Sequence, residues 1–268
     1  MNLDALSTET QLDLYFGYAE RASLNCPPGA RARLKGLLES DSELVYRAPG
    51  LVAWMGANGT LGWVNYMAQS AAILEAEAPA FIDYFSAVGR RMGLTQFHIY
   101  AGSEASRNVF QAAGMKLLHE TLRMRHGDPR AIAPDPRLRP YQDDDVDAVL
   151  ALMRASFPDQ ETSLETWKAC IYGNWQAWLA VEGGVPAGYI LVDATLETLM
   201  INGLGVSPDH QGQGLGKLLV RQVLNLAARH DKVAVELLAD AKPEVIGFYR
   251  QLGFEPLHPA SYLIRTLT

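Results

Sequence analysis

In the second half of the chain the spacing of apolar residues changes period several times. Between Val146 and Phe157 it follows Val146, Val149, Leu150 and Met153, the spacing of one helix face. Leu138-Arg139-Pro140 and Asp143, Asp144 and Asp145 precede it and predict a strand and a capped turn. Trp175 to Ala180 and Ala187 to Asp193 are short runs flanking Glu182-Gly183-Gly184, which predicts a hairpin. Leu199 to Val206 reads as another strand, and from Leu215 to Arg229 the helical period returns, with Leu215, Leu218, Leu219, Val223 and Leu226 forming one stripe. Val233 to Leu238 predicts a strand. Pro243 and Glu244 open a short helix with Val245, Phe248, Tyr249 and Leu252 on one side, and Gly253 stops it. Tyr262 to Leu267 has the composition of a last strand. The pattern is α/β, with antiparallel hairpins early and a strand-helix-strand unit later.

His126 to Pro136 breaks this patterning with Pro129, Pro134 and Pro136, as a linker or a surface arm would. The expected organisation is therefore one domain over residues 1–128, a linker over 129–136 and a second domain over 137–268. The chain has 268 residues and 49% apolar content, enough for a packed core in each domain. Its 23 Lys and Arg against 30 Asp and Glu give a net charge of -7, without a basic stripe to track a phosphate backbone, so nucleic-acid binding is not expected. Cys26 and Cys170 are too few for a disulfide scaffold and are not spaced as metal ligands. Met1-Asn2-Leu3-Asp4 lacks the start of a secretory signal, and no apolar stretch reaches membrane-spanning length. A cytoplasmic protein with no membrane partner and no metal is the expectation.

The segment Val206-Ser207-Pro208-Asp209-His210-Gln211-Gly212-Gln213-Gly214-Leu215-Gly216-Lys217 carries the most chemistry. Its glycines leave no Cβ between the main chain and a ligand, so successive N–H groups can converge on an anion at the start of the following helix. A diphosphate is the natural ligand. A nucleotide P-loop would need Gly at Gln211 and Ser or Thr at Leu218, and a dinucleotide fingerprint from Gly212 would need Gly at Lys217, so neither ATP nor NAD is favoured.

With these residues the chain resembles the GCN5-related N-acetyltransferases. That family's signature is Gln or Arg, two residues, Gly, one residue, and Gly or Ala after a strand ending near Val-x-Pro; Gln211, Gly214, Gly216, Val206 and Pro208 match it. The resemblance covers roughly residues 137–268 and includes Phe248-Tyr249-Arg250-Gln251-Leu252-Gly253-Phe254. It implies the acyl-CoA N-acyltransferase fold, a mixed, mostly antiparallel sheet flanked by helices, and acetyl-coenzyme A as co-substrate. It also implies that Gln211, Gly212, Gln213, Gly214, Leu215, Gly216 and Lys217 hold the diphosphate of coenzyme A, and that Leu204, Gly205 and Val206 lie beside its pantetheine arm. Lys217 has a second reading as a solvent-facing residue.

Aminolysis of a thioester needs a neutral amine, a polarised carbonyl and a proton for the departing thiolate. In similar proteins the tyrosine of the short helix points at the sulfur, which makes Tyr249 the candidate general acid. A phenol is protonated at neutral pH. Tyr249 would otherwise be part of an apolar helix face. Where the family often has Asn and Ala on this helix, the chain has Lys242 and Val245. Glu236 and Glu197 are the candidate carboxylate bases, with Asn202 the other polar residue near the cleft, and each has an alternative structural role. His210 is read as a loop position. The acceptor is expected to be a small-molecule or peptide amine, and a homodimer is compatible with this reading. The alternative is a catalytically silent acyl-CoA-binding regulatory module.

The first half echoes the second. A shift of 139 residues sets Ala113-Gly114-Met115 over Leu252-Gly253-Phe254, Phe110 over Tyr249, and Met67 to Glu77 over Val206 to Gly216, without a gap. Met67 to Glu77 holds no glycine and has Glu75 and Glu77, so a diphosphate would meet side chains and repulsion there. The fold is thus expected twice, with residues 1–128 a degenerate copy, an arrangement similar to that of tandem acetyltransferases with one active domain. Tyr15, Phe16, Tyr18, Trp54, Trp63 and Tyr66 are read as core or interface aromatics, or as the lining of a pocket.

Overall fold

The computed structural model describes residues 8–10, 12, 13, 30–40, 42–157, 164, 167, 171, 175–194 and 198–267. Cys26, Cys170, Glu197, Tyr15, Phe16 and Tyr18 lie outside the described residues. The chain divides into two compact units, one of residues 1–122 with 258–268 and one of residues 123–257.

In the first unit the elements are α1 (Ala30–Glu39), β1 (Val45–Ala48), β2 (Leu51–Asn58), β3 (Leu61–Ala68), α2 (Ala71–Arg91), β4 (Gln96–Ala101), α3 (Glu104–Ala112) and the start of β5 (Lys116–His126). Strands β1 to β3 form an antiparallel meander, and β4 then pairs parallel to β3 after the α2 crossover. Ser70 starts α2 by accepting a bond from the Ile73 N–H at 3.3 Å. Ser103 and Ser106 start α3 with reciprocal side-chain bonds to each other's N–H groups. Phe81, Phe85, Phe97 and Phe110 fill the core between sheet and helices, while Leu34, Leu38, Val52 and Trp54 form a separate buried cluster. Tyr66 packs on Phe81 and Phe110 as a core aromatic, and Trp63 is 42% exposed.

The second unit runs through β6 (Leu138–Pro140), α4 (Val146–Ser156), β7 (Trp175–Glu182), β8 (Val185–Asp193), β9 (Thr198–Val206), α5 (Leu215–Arg229), β10 (Ala234–Asp240) and α6 (Pro243–Arg250). Arg139 grips Asp145 with two bonds of 2.6 and 2.7 Å, which fixes the acidic turn ahead of α4. Gly183 and Gly184, both at positive φ, close the β7–β8 hairpin as its sequence requires. β6 to β9 are antiparallel neighbours and β10 is parallel to β9. Leu179, Tyr189 and Leu191 pack with Val149 and Leu150 of α4 on one sheet face. α5 covers the other face, where Leu219 approaches Gly188.

Two expectations about organisation differ from this structure. The last strand, β11 (Glu255–Thr266), lies antiparallel to β4 from Ser261↔Ala101 to Thr266↔Gln96, and its Leu263 and Leu267 join the first unit's core. Residues 258–268 therefore belong to the first compact unit, not to one running over 137–268. Conversely, Arg123 at the end of β5 is buried against Glu236 of β10, so the second unit begins at Arg123 and not at 137. The expected linker 129–136 is held in the second unit, with the Ile132 N–H bonded to Asn225 Oδ1 of α5 at 3.2 Å.

The repeat itself is visible in the elements. In both halves an antiparallel pair is followed by a helix, a parallel strand, a short helix and a long last strand. α3 and α6 end alike: the Met115 N–H bonds to Phe110 O at 3.0 Å and the Phe254 N–H to Tyr249 O at 3.1 Å. Gly114 and Gly253 follow the two helices at φ 85° and 87°. Arg265 of β11 stands against Gly114, and His126 of β5 against Gly253. Among the described residues no helix is long and apolar enough to cross a membrane.

Candidate functional site

The site grows out of an irregularity in β9. Against β8 the register runs Leu191↔Gly203 and then Val192↔Ile201, leaving Asn202 as an extra residue, a β-bulge. Against β10 the parallel ladder runs from Thr198↔Ala234 to Ile201↔Leu237 and stops, although β9 continues to Val206 and β10 to Asp240. Leu204, Gly205 and Val206 thus follow the point where the two strands part.

Gly205 of β9 is a glycine for a steric reason. A Cβ on Gly205 would stand 2.3 Å from Ser156 Oγ and 2.5 Å from the Tyr189 ring, so no larger residue fits. The Tyr189 hydroxyl, Ser156 Oγ and Asn202 Nδ2 are buried, with no hydrogen-bond partner among the described residues. Burial pushes the Tyr189 phenol above its ordinary pKa. Sequence reading missed Tyr189 and Ser156; the two glycines inside an otherwise regular strand were the available signal. It also missed Asp193, 1% exposed at the end of β8, and Arg123.

Beyond β9 the chain makes a short turn over Pro208–His210 and then the glycine segment. Side chains brace the segment from below: Gln211 Nε2 donates to Val206 O and Gln213 Nε2 to Asp209 O, both at 3.2 Å. Gly212 and Gly214 sit at φ 76° and 83°, where a side chain is strained, and the space above both is open. The first α5 hydrogen bond is Leu218 N–H to Gly214 O at 3.1 Å. Among the described residues no acceptor engages the N–H groups of Gly212, Gln213, Gly214, Leu215, Gly216 and Lys217. A row of free donors at the positive end of a 15-residue helix results.

α6 packs beside this turn. The Phe248 ring comes within 3.4 Å of where a Cβ on Gly216 would lie, and Lys217 Nζ bonds Gln251 Oε1 at 3.2 Å. Tyr249, the next residue, is 8% exposed, with its ring 5.0 Å from that of Phe248 and 5.7 Å from that of Phe254. Burial raises the Tyr249 pKa above its ordinary value, so the phenol keeps its proton at neutral pH. Lys242 pairs with Asp240 at 2.9 Å before α6 begins.

The candidate bases fare differently. Glu236 is 4% exposed, and its carboxylate is taken up by Arg123, whose Nε lies at 2.8 Å, and by Arg125 at 3.4 Å. Both carboxylate oxygens are thus turned toward guanidinium groups, Oε2 to Arg123 and Oε1 to Arg125, and away from an incoming amine. Glu236 is an ion-pair anchor between β10 and β5, and its expected part as a base is withdrawn. Glu197 is outside the described residues. His210 Nδ1 is buried without a hydrogen-bond partner among the described residues.

Residues 146–254 match the model of the Acetyltransferase (GNAT) family. The chain is 45% identical over 49 residues to an N-acetyltransferase of Gracilaria tenuistipitata described as uncharacterised, covering 18% of this chain and 26% of that protein. It is 44% identical over 50 residues to the chloroplastic GCN5-related N-acetyltransferase 2 of Arabidopsis thaliana, 19% of each chain. The matched stretch thus spans about a quarter or less of the length of these relatives. In fold, the chain is similar to a tandem GNAT protein of the clavulanic acid biosynthesis pathway, with a TM-score of 0.66 at 16% identity over 97% of this chain and 95% of that one. A GCN5-related N-acetyltransferase of Sphaerobacter thermophilus gives 0.67 at 14% identity over 89% and 85%. Both likenesses extend over the two halves of the chain.

Proposed function

We propose that this protein moves the acetyl group of acetyl-coenzyme A onto an amine, with the cofactor held by the second unit, a reading supported by the match of residues 146–254 to the Acetyltransferase (GNAT) family. The observation that carries the reading is the row of unengaged N–H groups from Gly212 to Lys217 at the start of α5. Such donors suit a diphosphate, whose charge the helix end also favours. The parting of β9 from β10 leaves the main chain of Leu204 to Val206 free to pair with the amide-bearing pantetheine arm.

The amine attacks the thioester carbonyl directly. A C–N bond forms, the C–S bond breaks, the departing thiolate takes a proton from the Tyr249 hydroxyl, and the proton released by the nitrogen passes to water, from which the Tyr249 phenolate is reprotonated. Desolvation keeps that hydroxyl protonated, so it donates when negative charge develops on sulfur. Small-molecule and peptide amines are the acceptor class.

The first unit binds no cofactor in this reading. Its α2 starts at Ala71 with Ser70 already capping it, Glu75 and Glu77 replace glycines, and the fully buried Phe110 replaces Tyr249.

A single set of measurements tests these statements. Calorimetry with acetyl-coenzyme A is expected to give one equivalent per chain, and an amine panel read as thiol release is expected to give turnover. Tyr249→Phe should lower kcat by about a hundredfold or more while the cofactor Kd stays within about threefold. In the parent protein no loss of kcat due to Tyr249 deprotonation should appear below pH ~10. Binding without turnover for any amine would instead leave an acyl-CoA-binding regulatory module. Two equivalents bound would refute the silent first unit.

A further inference from the structure

Strands β3 and β4 of the first unit part as β9 and β10 do. Their parallel ladder runs from Leu61↔Gln96 to Val64↔Ile99 and stops, although β3 continues to Ala68 and β4 to Ala101. Beyond that point a cleft of about 560 Å³ opens, a volume in the range of small-ligand sites. Its walls are Tyr66 of β3, the first turns of α2 at Leu74, Glu75 and Pro79, and the α3 face that carries Val109. Short side chains keep it open: Ala105 and Ala112 of α3 line it and are exposed.

The polar groups of this cleft suit a cation. Among the described residues that line it there is no Lys, Arg or His, and Glu75 is the one charged side chain. Glu75 is exposed, and among the described residues no cation pairs with it. Its main-chain carbonyl is a second acceptor, because Pro79, four residues on within α2, has no N–H to return to it. Donors that would hold an anion are spent: Ser70 takes the Ile73 N–H on its hydroxyl at 3.3 Å and the Leu74 N–H on its carbonyl at 3.1 Å. The neighbouring charges are engaged elsewhere. Glu77 accepts from the Tyr46 hydroxyl at 3.0 Å, and Arg107 of α3 pairs with Glu104 and Glu120.

We infer that this cleft binds a primary alkylammonium ion, with the carboxylate and carbonyl of Glu75 accepting from its N–H groups and its aliphatic chain lying between Leu74 and Val109. The two copies of the fold then carry opposite preferences, since α5 begins with free donors for an anion and α2 presents acceptors for a cation. The ligand is of the same chemical class as the proposed acceptors, but the first unit offers it no thioester, so it leaves unchanged. The site does not depend on acetyl transfer by the second unit.

The probe is n-butylammonium chloride, with n-butanol as its uncharged counterpart, titrated into the full chain without coenzyme A and followed by backbone amide NMR. The expected Kd is about 1–10 mM, as suits so small a ligand, with shifts at residues of α2 and α3. Binding of n-butanol should be about tenfold weaker or more. Glu75→Gln should weaken n-butylammonium by about tenfold. Ala112→Leu, which fills the cleft and leaves the charge in place, should weaken it at least as much. Pro79→Ala returns a donor to the Glu75 carbonyl and should weaken it by about two- to threefold. The inference is overturned by equal affinity for the alcohol and the ammonium ion, by the absence of saturable shifts, or by shifts confined to the second unit. A Kd unchanged in both Glu75→Gln and Ala112→Leu, in protein whose circular dichroism matches the parent, overturns it equally.

Discussion

Tyr249 and Phe110 occupy matching places at the ends of α6 and α3, and the difference between them is one oxygen. Phe110 is fully buried between Tyr66 and Phe81, where a hydroxyl would need a partner, whereas Tyr249 keeps 8% exposure. The residue scale also separates anchoring from catalysis at Glu236. Arg123 and Glu236 have side-chain exposures of 1% and 5%, so removing one charge leaves the other buried and uncompensated. Glu236→Gln is therefore expected to lower unfolding free energy by about 3 kcal/mol or more. Urea denaturation measures it, and unchanged stability with a collapse of kcat would return Glu236 to the reaction. The acidic side chain itself was legible in the sequence as a polar residue in a core strand. Its partner was not, because Arg123 is 113 residues away in the chain.

At the scale of the element, the strand-turn-helix of β9 and α5 has its conformation written locally. Glycines at two left-handed positions, a proline ahead of them and an apolar stripe behind leave few alternatives, and the helix spans Leu215–Arg229 as its periodicity predicts. Gly214→Ala places a Cβ at φ 83°, which costs about 1–2 kcal/mol or forces the turn to move. Affinity for acetyl-coenzyme A should then fall by roughly tenfold, as read by calorimetry. Gly247→Ala is the control: it lies inside α6 with open space around it and no positive φ, and binding should be unchanged. If both substitutions leave affinity unaltered, the conformation of the turn does not govern binding. The bulge at Asn202 was not legible, since a strand's composition says nothing of how its neighbours register.

For the whole molecule, the instructive element is β11. Leu263 would be assigned by chain position to the second domain, yet it is fully buried in the first unit's core with Phe81, Phe97 and Phe110. Leu263→Ala should destabilise the first unit by about 2–5 kcal/mol. Hydrogen exchange is expected to accelerate in β4 and α2 and to remain slow in β7 to β9; the reverse distribution would restore the boundary at 137. Sequence alone determined the repeated strand-helix order, the extent of α5 and α6 and the glycine turn, because these depend on periodicity and local backbone freedom over a few residues. Tertiary structure alone decided that β11 pairs with β4 and β5 with β10. β5 and β11 have equivalent places in two copies of one pattern, so local sequence fits either partner, and only the packing of Leu263 beside β4 and the Arg123–Glu236 pair distinguish them. It likewise decided that Glu236 is engaged and that the proline-rich arm is bonded to α5, since both depend on contacts between residues far apart in the chain.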